Sequence, residues 1–261
     1  MSRLTSAFAT AASPRLVTYV TAGDPDIERS RQVLTGLVRG GADVIEVGVP
    51  FSDPVADGPA VQRGSERALA AGTTLGTSLD LVADLRRESD VPVVLFTYVN
   101  PVLRMGFDAF ADRARTVGVD GVLLLDIPIE EFDEAGKTLE QHAIDPIFLV
   151  SPTTTEARLT IAAARGRGFL YAISRLGVTG VRDTVAGSAR PLVERIRAVS
   201  DLPVALGFGI SRPEHVREVV QYADAAVVGS AIVNVIGEAA AAGRHVGDAV
   251  AEFVTWLKGG R

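Results

Sequence analysis

The chain has 261 residues, of which 47% are hydrophobic and 22% charged, so it is long enough to bury a large core. Its 32 acidic and 26 basic residues give a formal net charge of -6 without a concentrated basic patch, which argues against nucleic acid or an anionic membrane as a partner. The absence of cysteine excludes disulfides, thiolate metal sites and cysteine nucleophiles, and it fits a cytoplasmic location.

The first residues of the chain mix apolar and polar side chains without a continuous apolar run. A signal peptide or a membrane anchor needs a longer apolar run, so neither is expected here. We predict instead a short amphipathic helix that plugs one end of the fold.

From residue 16 onward, short apolar runs alternate with longer amphipathic segments. Helices are predicted between the apolar runs, among others at 27–39, 107–117, 131–142 and 213–222. The apolar runs predict eight strands, at 16–21, 44–48, 93–98, 121–126, 147–150, 169–173, 204–208 and 225–229.

Strands that alternate with helices pair in parallel through right-handed crossovers. An open dinucleotide-binding sheet would more often show an early G-x-G-x-x-G, and none follows the first strand. The sequence therefore predicts one domain over residues 1–261, an α/β fold of the TIM or (β/α)8-barrel class with an extra N-terminal helix. The functional loops of such a barrel lie at the C-terminal ends of its strands.

The second predicted strand carries a carboxyl group, Glu46. Side chains of a barrel strand alternate between the lumen and the helix layer, so if Val44 and Gly48 face inward, Glu46 does too. Desolvation near the barrel mouth would raise the pKa of this carboxyl and suit it to proton transfer near neutral pH. The alternative is a structural Glu46 paired with an arginine or lysine in the lumen, since buried carboxylates are costly unless paired or functional.

A second carboxyl group, Asp57, follows 11 residues later in a loop stiffened by Pro50, Pro54 and Pro59. Such a loop could place an ionised carboxylate over the barrel mouth. On residue type alone, the favoured interpretation of Asp57 is a turn residue that makes an Asx hydrogen bond, and this applies more strongly to Asp53.

Glycines follow the last two predicted strands, at residues 207–211 and 229–230. Small residues and a helix N-terminus let backbone N–H groups approach an anion, and phosphate-binding barrels commonly place that site after strands seven and eight. A third glycine-rich turn, at residues 176–180, could close over the same ligand. The pattern predicts a phosphorylated ligand, although glycines also end strands for steric reasons alone.

Other catalytic chemistries lack the residues they need. His142, His215 and His245 fall in predicted helices or at their ends, so they are expected at the surface, and no spacing of His, Asp or Glu suggests a metal site. Lys137 and Lys258 are the only lysines and lie in predicted helices, so no strand-end lysine could form a Schiff base. A carbon–carbon cleavage here would have to run on acid–base catalysis alone.

Residues 45–58 resemble the signature of the tryptophan synthase alpha subunit family. Further matches occur in the family's order along the chain, at residues 21–25, 97–101, 174–180, 207–211 and 228–233. The resemblance implies a carbon–carbon lyase that cleaves indole-3-glycerol phosphate to indole and glyceraldehyde 3-phosphate in L-tryptophan biosynthesis.

The resemblance also implies roles for individual residues. Glu46 would do the acid–base work, and Asp57 would interact with the indole N–H and stabilise positive charge on the ring. Tyr171 would orient the substrate or Glu46. The other substrate-binding residues implied are Tyr19, Phe96 and Phe208 around the indole, Gly180, Gly209, Gly229 and Ser230 at the phosphate, and Thr179.

The family normally works with a beta subunit that contains pyridoxal phosphate and receives the indole. Residues 50–53 and 100–105 match loops that usually face that partner, so a partner-activated lyase within a heterotetramer is expected, with no cofactor in this chain itself. Tyr19 departs from the family pattern, which usually has phenylalanine there, and adds a hydroxyl to the pocket.

Three alternatives stay open: a freestanding lyase of secondary metabolism, a catalytically weak allosteric binding subunit, and a phosphosugar isomerase or epimerase on the same scaffold.

Overall fold

A computed structural model describes residues 2–9, 14–174, 189–207 and 209–259. The strands within these ranges are β1 (Leu16–Thr21), β2 (Val44–Gly48), β3 (Val93–Thr97), β4 (Gly121–Leu124), β5 (Asp145–Pro146), β6 (Phe148–Val150), β7 (Leu170–Ile173), β8 (Val204–Gly207) and β9 (Ala225–Val228). The α-helices are α1 (Arg3–Ala9), α2 (Ile27–Gly40), α3 (Pro59–Ala70), α4 (Leu75–Arg86), α5 (Val99–Met105), α6 (Phe107–Val117), α7 (Asp133–Gln141), α8 (Glu156–Arg165), α9 (Ala189–Arg197), α10 (Pro213–Val219), α11 (Ser230–Ala241) and α12 (Val246–Leu257).

The strands pair in parallel in the order β5-β4-β3-β2-β1-β9-β8-β7-β6, which confirms the predicted barrel class. The two ends of this order meet because β5 and β6 are halves of one barrel strand, separated by Ile147. The N–H of Ile147 donates to the carbonyl of Val122 at 2.9 Å. The predicted single strand at 147–150 is therefore wrong in detail, since the segment changes its partner from β4 to β7 at this residue.

Apolar side chains form one layer outside the ring of strands and a second one inside it. Ile45 and Val47 belong to the outer cluster, between the sheet and the helices, whereas Val44 belongs to the inner cluster that fills the barrel. Leu4 of α1 is fully buried in the inner cluster, so the N-terminal helix plugs the barrel as predicted. The remaining buried members of the inner cluster are Val17, Val94, Leu123, Ile147, Phe169, Ala205, Ala225 and Val227.

Local signals position the helices that flank the mouth of the barrel. Helix α2 begins after Asp26, whose carboxylate accepts the N–H of Arg29 at 2.8 Å, and it ends at Gly41 in the left-handed region at φ 87°. Helix α3 starts with Pro59 as its first residue, where a proline's missing N–H costs nothing. Both helices therefore have their ends where local sequence signals place them.

The expectation that all three histidines lie at the surface is wrong for His215. This residue is only 4% exposed, and its Nδ1 accepts the N–H of Ser211 at 3.4 Å, so the ring helps fix the turn that leads into α10.

No helix within the described ranges is both long and apolar enough to cross a membrane.

Candidate active site

Glu46 lies in the interior of the barrel, as strand parity predicts. On β2 it is in register with Tyr19 of β1 and Val94 of β3, and its side chain is fully buried. Burial raises the pKa of the Glu46 carboxyl to about 8. The group therefore holds a proton at neutral pH and can release it within the physiological range.

Neither carboxyl oxygen of Glu46 has a hydrogen-bond partner among the described residues. No ion pair among the described residues joins Glu46 to an arginine or a lysine, as the structural alternative would require. An unpaired buried carboxyl costs stability, so this arrangement is typical of a functional group that meets its partner in a ligand.

Asp57 lies in the loop between β2 and α3, at the C-terminal end of the barrel. The turn is closed by backbone, because the N–H of Asp57 donates to the carbonyl of Pro54 at 3.0 Å. The Asp57 carboxylate instead accepts the hydroxyl of Tyr98 at 3.4 Å. Partial burial raises the pKa of Asp57 to about 6, although the Tyr98 hydrogen bond opposes the rise. The Asx-turn interpretation is thus not what the side chain does in the structure.

Tyr19 connects the surroundings of the two carboxyl groups. Burial raises the pKa of its phenol, and the negative charges of Asp57 and then Glu46 raise it further, so the ring lies within electrostatic reach of both. A Cβ on Gly48 would overlap the Tyr19 hydroxyl, so only glycine at that position leaves room for the ring. Glu46 and Asp57 therefore share one pocket, with Tyr19 along its wall.

Aromatic side chains form the rest of this wall. The ring of Phe96 meets Tyr19 edge to face, with centroids 5.2 Å apart. Phe51 stacks on Tyr98 at 4.8 Å, and the Tyr98 hydroxyl also accepts the N–H of Ala56 at 3.0 Å. These contacts give the pocket an aromatic lining, against which an apolar ring system can pack.

Tyr171 lies across the barrel on β7. A Cβ on Gly207 would approach the Tyr171 hydroxyl to 3.2 Å, so the ring lies against the backbone of β8. Burial and the nearby charge of Glu46 raise the pKa of Tyr171 well above its ordinary value. The Tyr171 phenol therefore stays protonated. Like Tyr19, it lies within electrostatic reach of the Glu46 carboxyl group.

Sequence reasoning missed two residues of this pocket. Tyr98 holds Asp57, but the sequence presents it only as part of a motif. Leu149 is in register with Tyr171 and is 37% exposed. Strand alternation could have found Leu149, because Ile147 two residues earlier faces the lumen.

The predicted phosphate end of the site lies at the start of α11. Gly229 precedes this helix and Ser230 is its first residue, so the N–H groups of the first turn have no partner within the helix. Gly209 is exposed in the left-handed region at φ 89°, with nothing within 4 Å of its missing Cβ. Backbone donors and open space suit an anion here.

Three predicted substrate-binding residues, Thr179, Gly180 and Phe208, lie outside the described residues. Among the residues described, no group of three His, Asp or Glu side chains is arranged to hold a metal ion.

Beside the mouth, an open groove of about 360 Å³ is lined by Phe51–Val55 together with Gln62, Ser65, Glu66 and Leu69. Val55 is 89% exposed at its edge, and Leu103 on α5 is 59% exposed. Val55 and Leu103 are the two most exposed large hydrophobic side chains among the described residues.

Comparison with known proteins agrees with this geometry. The family model described as tryptophan synthase alpha chain matches residues 6–259. The tryptophan synthase alpha chain of Geobacter sulfurreducens is 46% identical, over 99% of this chain and 98% of its own length. That of Solibacter usitatus is 49% identical, over 85% of this chain and 83% of its own length.

Solved structures of tryptophan synthase also align with this chain over most of its length. A tryptophan synthase structure from Mycobacterium tuberculosis aligns with a TM-score of 0.90 and 37% identity, over 99% of this chain and 97% of that one. A chain of the tryptophan synthase α2β2 complex from Pyrococcus furiosus aligns with a TM-score of 0.88 and 38% identity, over 94% of this chain and 98% of that one.

Proposed function

This chain belongs to the tryptophan synthase alpha chain family, a family of lyases, and we propose that it cleaves indole-3-glycerol phosphate with Glu46 and Asp57 as its catalytic residues. The observation that carries the proposal is the buried carboxyl of Glu46, which has no hydrogen-bond partner among the described residues and lies next to an aromatic wall that also faces Asp57. No cofactor in this chain takes part in the proposed reaction.

The substrate would span the pocket from the rim to the start of α11. Its phosphate would accept N–H groups near Gly209, Gly229 and Ser230, and its indole ring would lie against Tyr19 and Phe96. Thr179, Gly180 and Phe208 remain predicted contacts. This orientation brings the bond between indole C3 and the side chain close to Glu46.

The proposed cleavage requires the transfer of one proton to indole C3 and the removal of one proton from the side-chain hydroxyl. Protonated Glu46 gives its proton to indole C3, and positive charge develops on the ring nitrogen, where the Asp57 carboxylate stabilises it. The C3–carbon bond breaks as the Glu46 carboxylate takes the proton of the side-chain hydroxyl, which becomes the aldehyde of glyceraldehyde 3-phosphate. The bonding electrons return to the indole, and Glu46 is protonated again. Tyr171 would orient Glu46 or the substrate hydroxyl.

The test is indole release from indole-3-glycerol phosphate by wild type and by Glu46→Gln. We expect the variant to lose roughly a thousandfold in kcat, because it can neither donate nor accept this proton. Its affinity for glycerol 3-phosphate, measured by calorimetry, should stay within about twofold, since the phosphate site is separate.

The matched control is Glu140→Gln on α7, an exposed glutamate outside the groove at Phe51–Val55, which should leave kcat unchanged. Wild type that releases no indole, with or without a beta subunit, would contradict the lyase proposal. Near-normal turnover by Glu46→Gln would contradict only the role of Glu46.

A beta subunit carrying pyridoxal phosphate is the proposed partner, because similar chains occur in α2β2 complexes. The groove at Phe51–Val55 and the exposed Leu103 are the surface we assign to it. Indole release measured with and without that subunit separates a partner-activated lyase from a freestanding one. A cytoplasmic location belongs to the same proposal.

A further inference from the structure

Asp24 is a second fully buried carboxylate at the C-terminal end of the barrel, in the turn after β1, and the proposed chemistry does not use it. Arg67 of α3 binds it in a bidentate manner, with Nε to Oδ1 at 2.7 Å and Nη2 to Oδ2 at 2.8 Å. Burial raises the pKa of Asp24, and the guanidinium opposes that rise. The two groups thus form a charged pair with fixed geometry between a strand end and a helix.

The helix that carries Arg67 also determines where Asp57 lies. Helix α3 begins at Pro59, two residues after Asp57, and Arg67 lies on its third turn. The Asp57 side chain itself has one described hydrogen bond, the long one from Tyr98. Its carbonyl accepts Nε2 of Gln62, a residue of the same helix, at 2.8 Å. The position of Asp57 therefore depends on the position of α3.

Close packing around the pair leaves α3 little freedom to slide. A Cβ on Gly64 would lie 3.0 Å from Asp24 Oδ2, from Thr21 Oγ1 and from Val233 Cγ1. On the neighbouring helix α11, a Cβ on Gly237 would lie 3.3 Å from the Arg67 guanidinium. The arginine is thus held between the end of β1 and α11.

General stability is a poor reason to keep such a pair, because a buried ion pair often contributes no more than apolar residues of similar volume. A bidentate arginine–carboxylate pair does supply direction, since both of its hydrogen bonds are satisfied in one orientation only. We propose that Asp24 and Arg67 are positioning residues, which hold α3 in a fixed orientation against β1 and thereby keep Asp57 over the indole pocket. The inference rests on the proposed lyase function.

The experiment compares Arg67→Met, Arg67→Lys, Asp24→Asn and the double variant Asp24→Asn/Arg67→Met in indole-3-glycerol phosphate cleavage. Each single change should lower kcat roughly tenfold or more, because small displacements of a catalytic group are costly. Arg67→Lys keeps the charge but loses the bidentate geometry, so it should behave like Arg67→Met. The double variant should be no slower than the slower single variant, because every one of these variants loses the same Asp24–Arg67 pair.

Glycerol 3-phosphate affinity, measured on the same proteins, separates positioning from damage to the fold. It should stay within about twofold, because α11 and its first turn keep their place. The matched control is Arg63→Met, which removes an exposed arginine of the same helix that hydrogen-bonds Asn234, and it should keep wild-type kcat.

A kcat within twofold of wild type for folded Arg67→Lys and Asp24→Asn would overturn the inference. So would a parallel loss of phosphate affinity, or failure of every variant to fold at 25 °C, since either would make the pair a general stability element. If the wild-type chain itself released no indole, the proposed function would fail instead.

Discussion

At the residue scale, two carboxyl groups in one pocket acquire different acidities from their surroundings. Glu46 is fully buried, its carboxyl oxygens have no hydrogen-bond partner among the described residues, and burial raises its pKa to about 8. Asp57 is only partly buried and accepts the Tyr98 hydroxyl, and its pKa rises to about 6. Between these values, Glu46 holds its proton while Asp57 is ionised, which is the division of roles that the proposed mechanism requires.

The raised pKa of Glu46 predicts how stability depends on pH. The folded pKa of about 8 exceeds the ordinary 4.5, so the folded chain binds this proton more tightly and stability falls as pH rises between those values. Glu46→Gln stays neutral throughout. We expect its Tm to exceed that of wild type by roughly 5 °C or more at pH 9, and by much less at pH 5.

Calorimetry at pH 5, 7 and 9 measures this difference, with Glu140→Gln as the exposed control. A gap in Tm that is the same at all three pH values would mean that Glu46 does not titrate in this window.

At the element scale, the first and last barrel helices pack through glycine. A Cβ on Gly36 of α2 would overlap the carbonyl of Gly247 in α12. Four residues further on, a Cβ on Gly40 would lie 2.7 Å from Val254 Cβ. The two backbones therefore approach each other directly, and this contact joins the end of the chain to its beginning.

Gly36→Ala should destabilise the protein by about 1–3 kcal/mol, because the overlap outweighs the better helix propensity of alanine. Urea denaturation measures the change. Gly76→Ala in α4 is the matched control, since the nearest atom to its Cβ would be Nη1 at the end of the Arg113 side chain, at 3.4 Å. Because α2 and α12 lie outside the barrel, kcat at 25 °C should be unchanged. Equal stability of the two variants would contradict the packing argument.

At the scale of the whole molecule, the two ends of the barrel differ in what closes them. Leu4 of α1 fills the N-terminal end from within the chain. At the C-terminal end, Val55 and Leu103 are exposed among the residues that the structure describes. The proposed active site and the surface assigned to the partner therefore both lie at the end opposite to α1.

Val55→Asp and Leu103→Asp should each weaken binding of the beta subunit at least about tenfold, because a charge would be desolvated in the contact. Calorimetric titration measures the affinity, and Tm should not change. Thr255→Asp adds the same charge to an exposed site in the last turn of α12, at the opposite end of the barrel, and should bind like wild type. Unchanged affinity of both test variants would place the partner elsewhere.

The sequence by itself determined the alternation of strands and helices, the barrel class, the N-terminal plug and the inward direction of Glu46. These features depend on the periodicity of apolar residues and on the alternation of side chains along a strand, both of which are local. The motifs around Glu46 and Asp57 are also local in sequence, and they suffice to indicate the family.

Only the tertiary structure decided the contacts between residues that are distant along the chain. It showed that Glu46 has no partner in the described ranges, that Tyr98 rather than a turn holds Asp57, and that His215 is buried. It also placed Arg67 on Asp24, 43 residues away. Residue types and spacing do not encode which polar groups meet across the barrel, because that depends on how strands and helices pack in three dimensions.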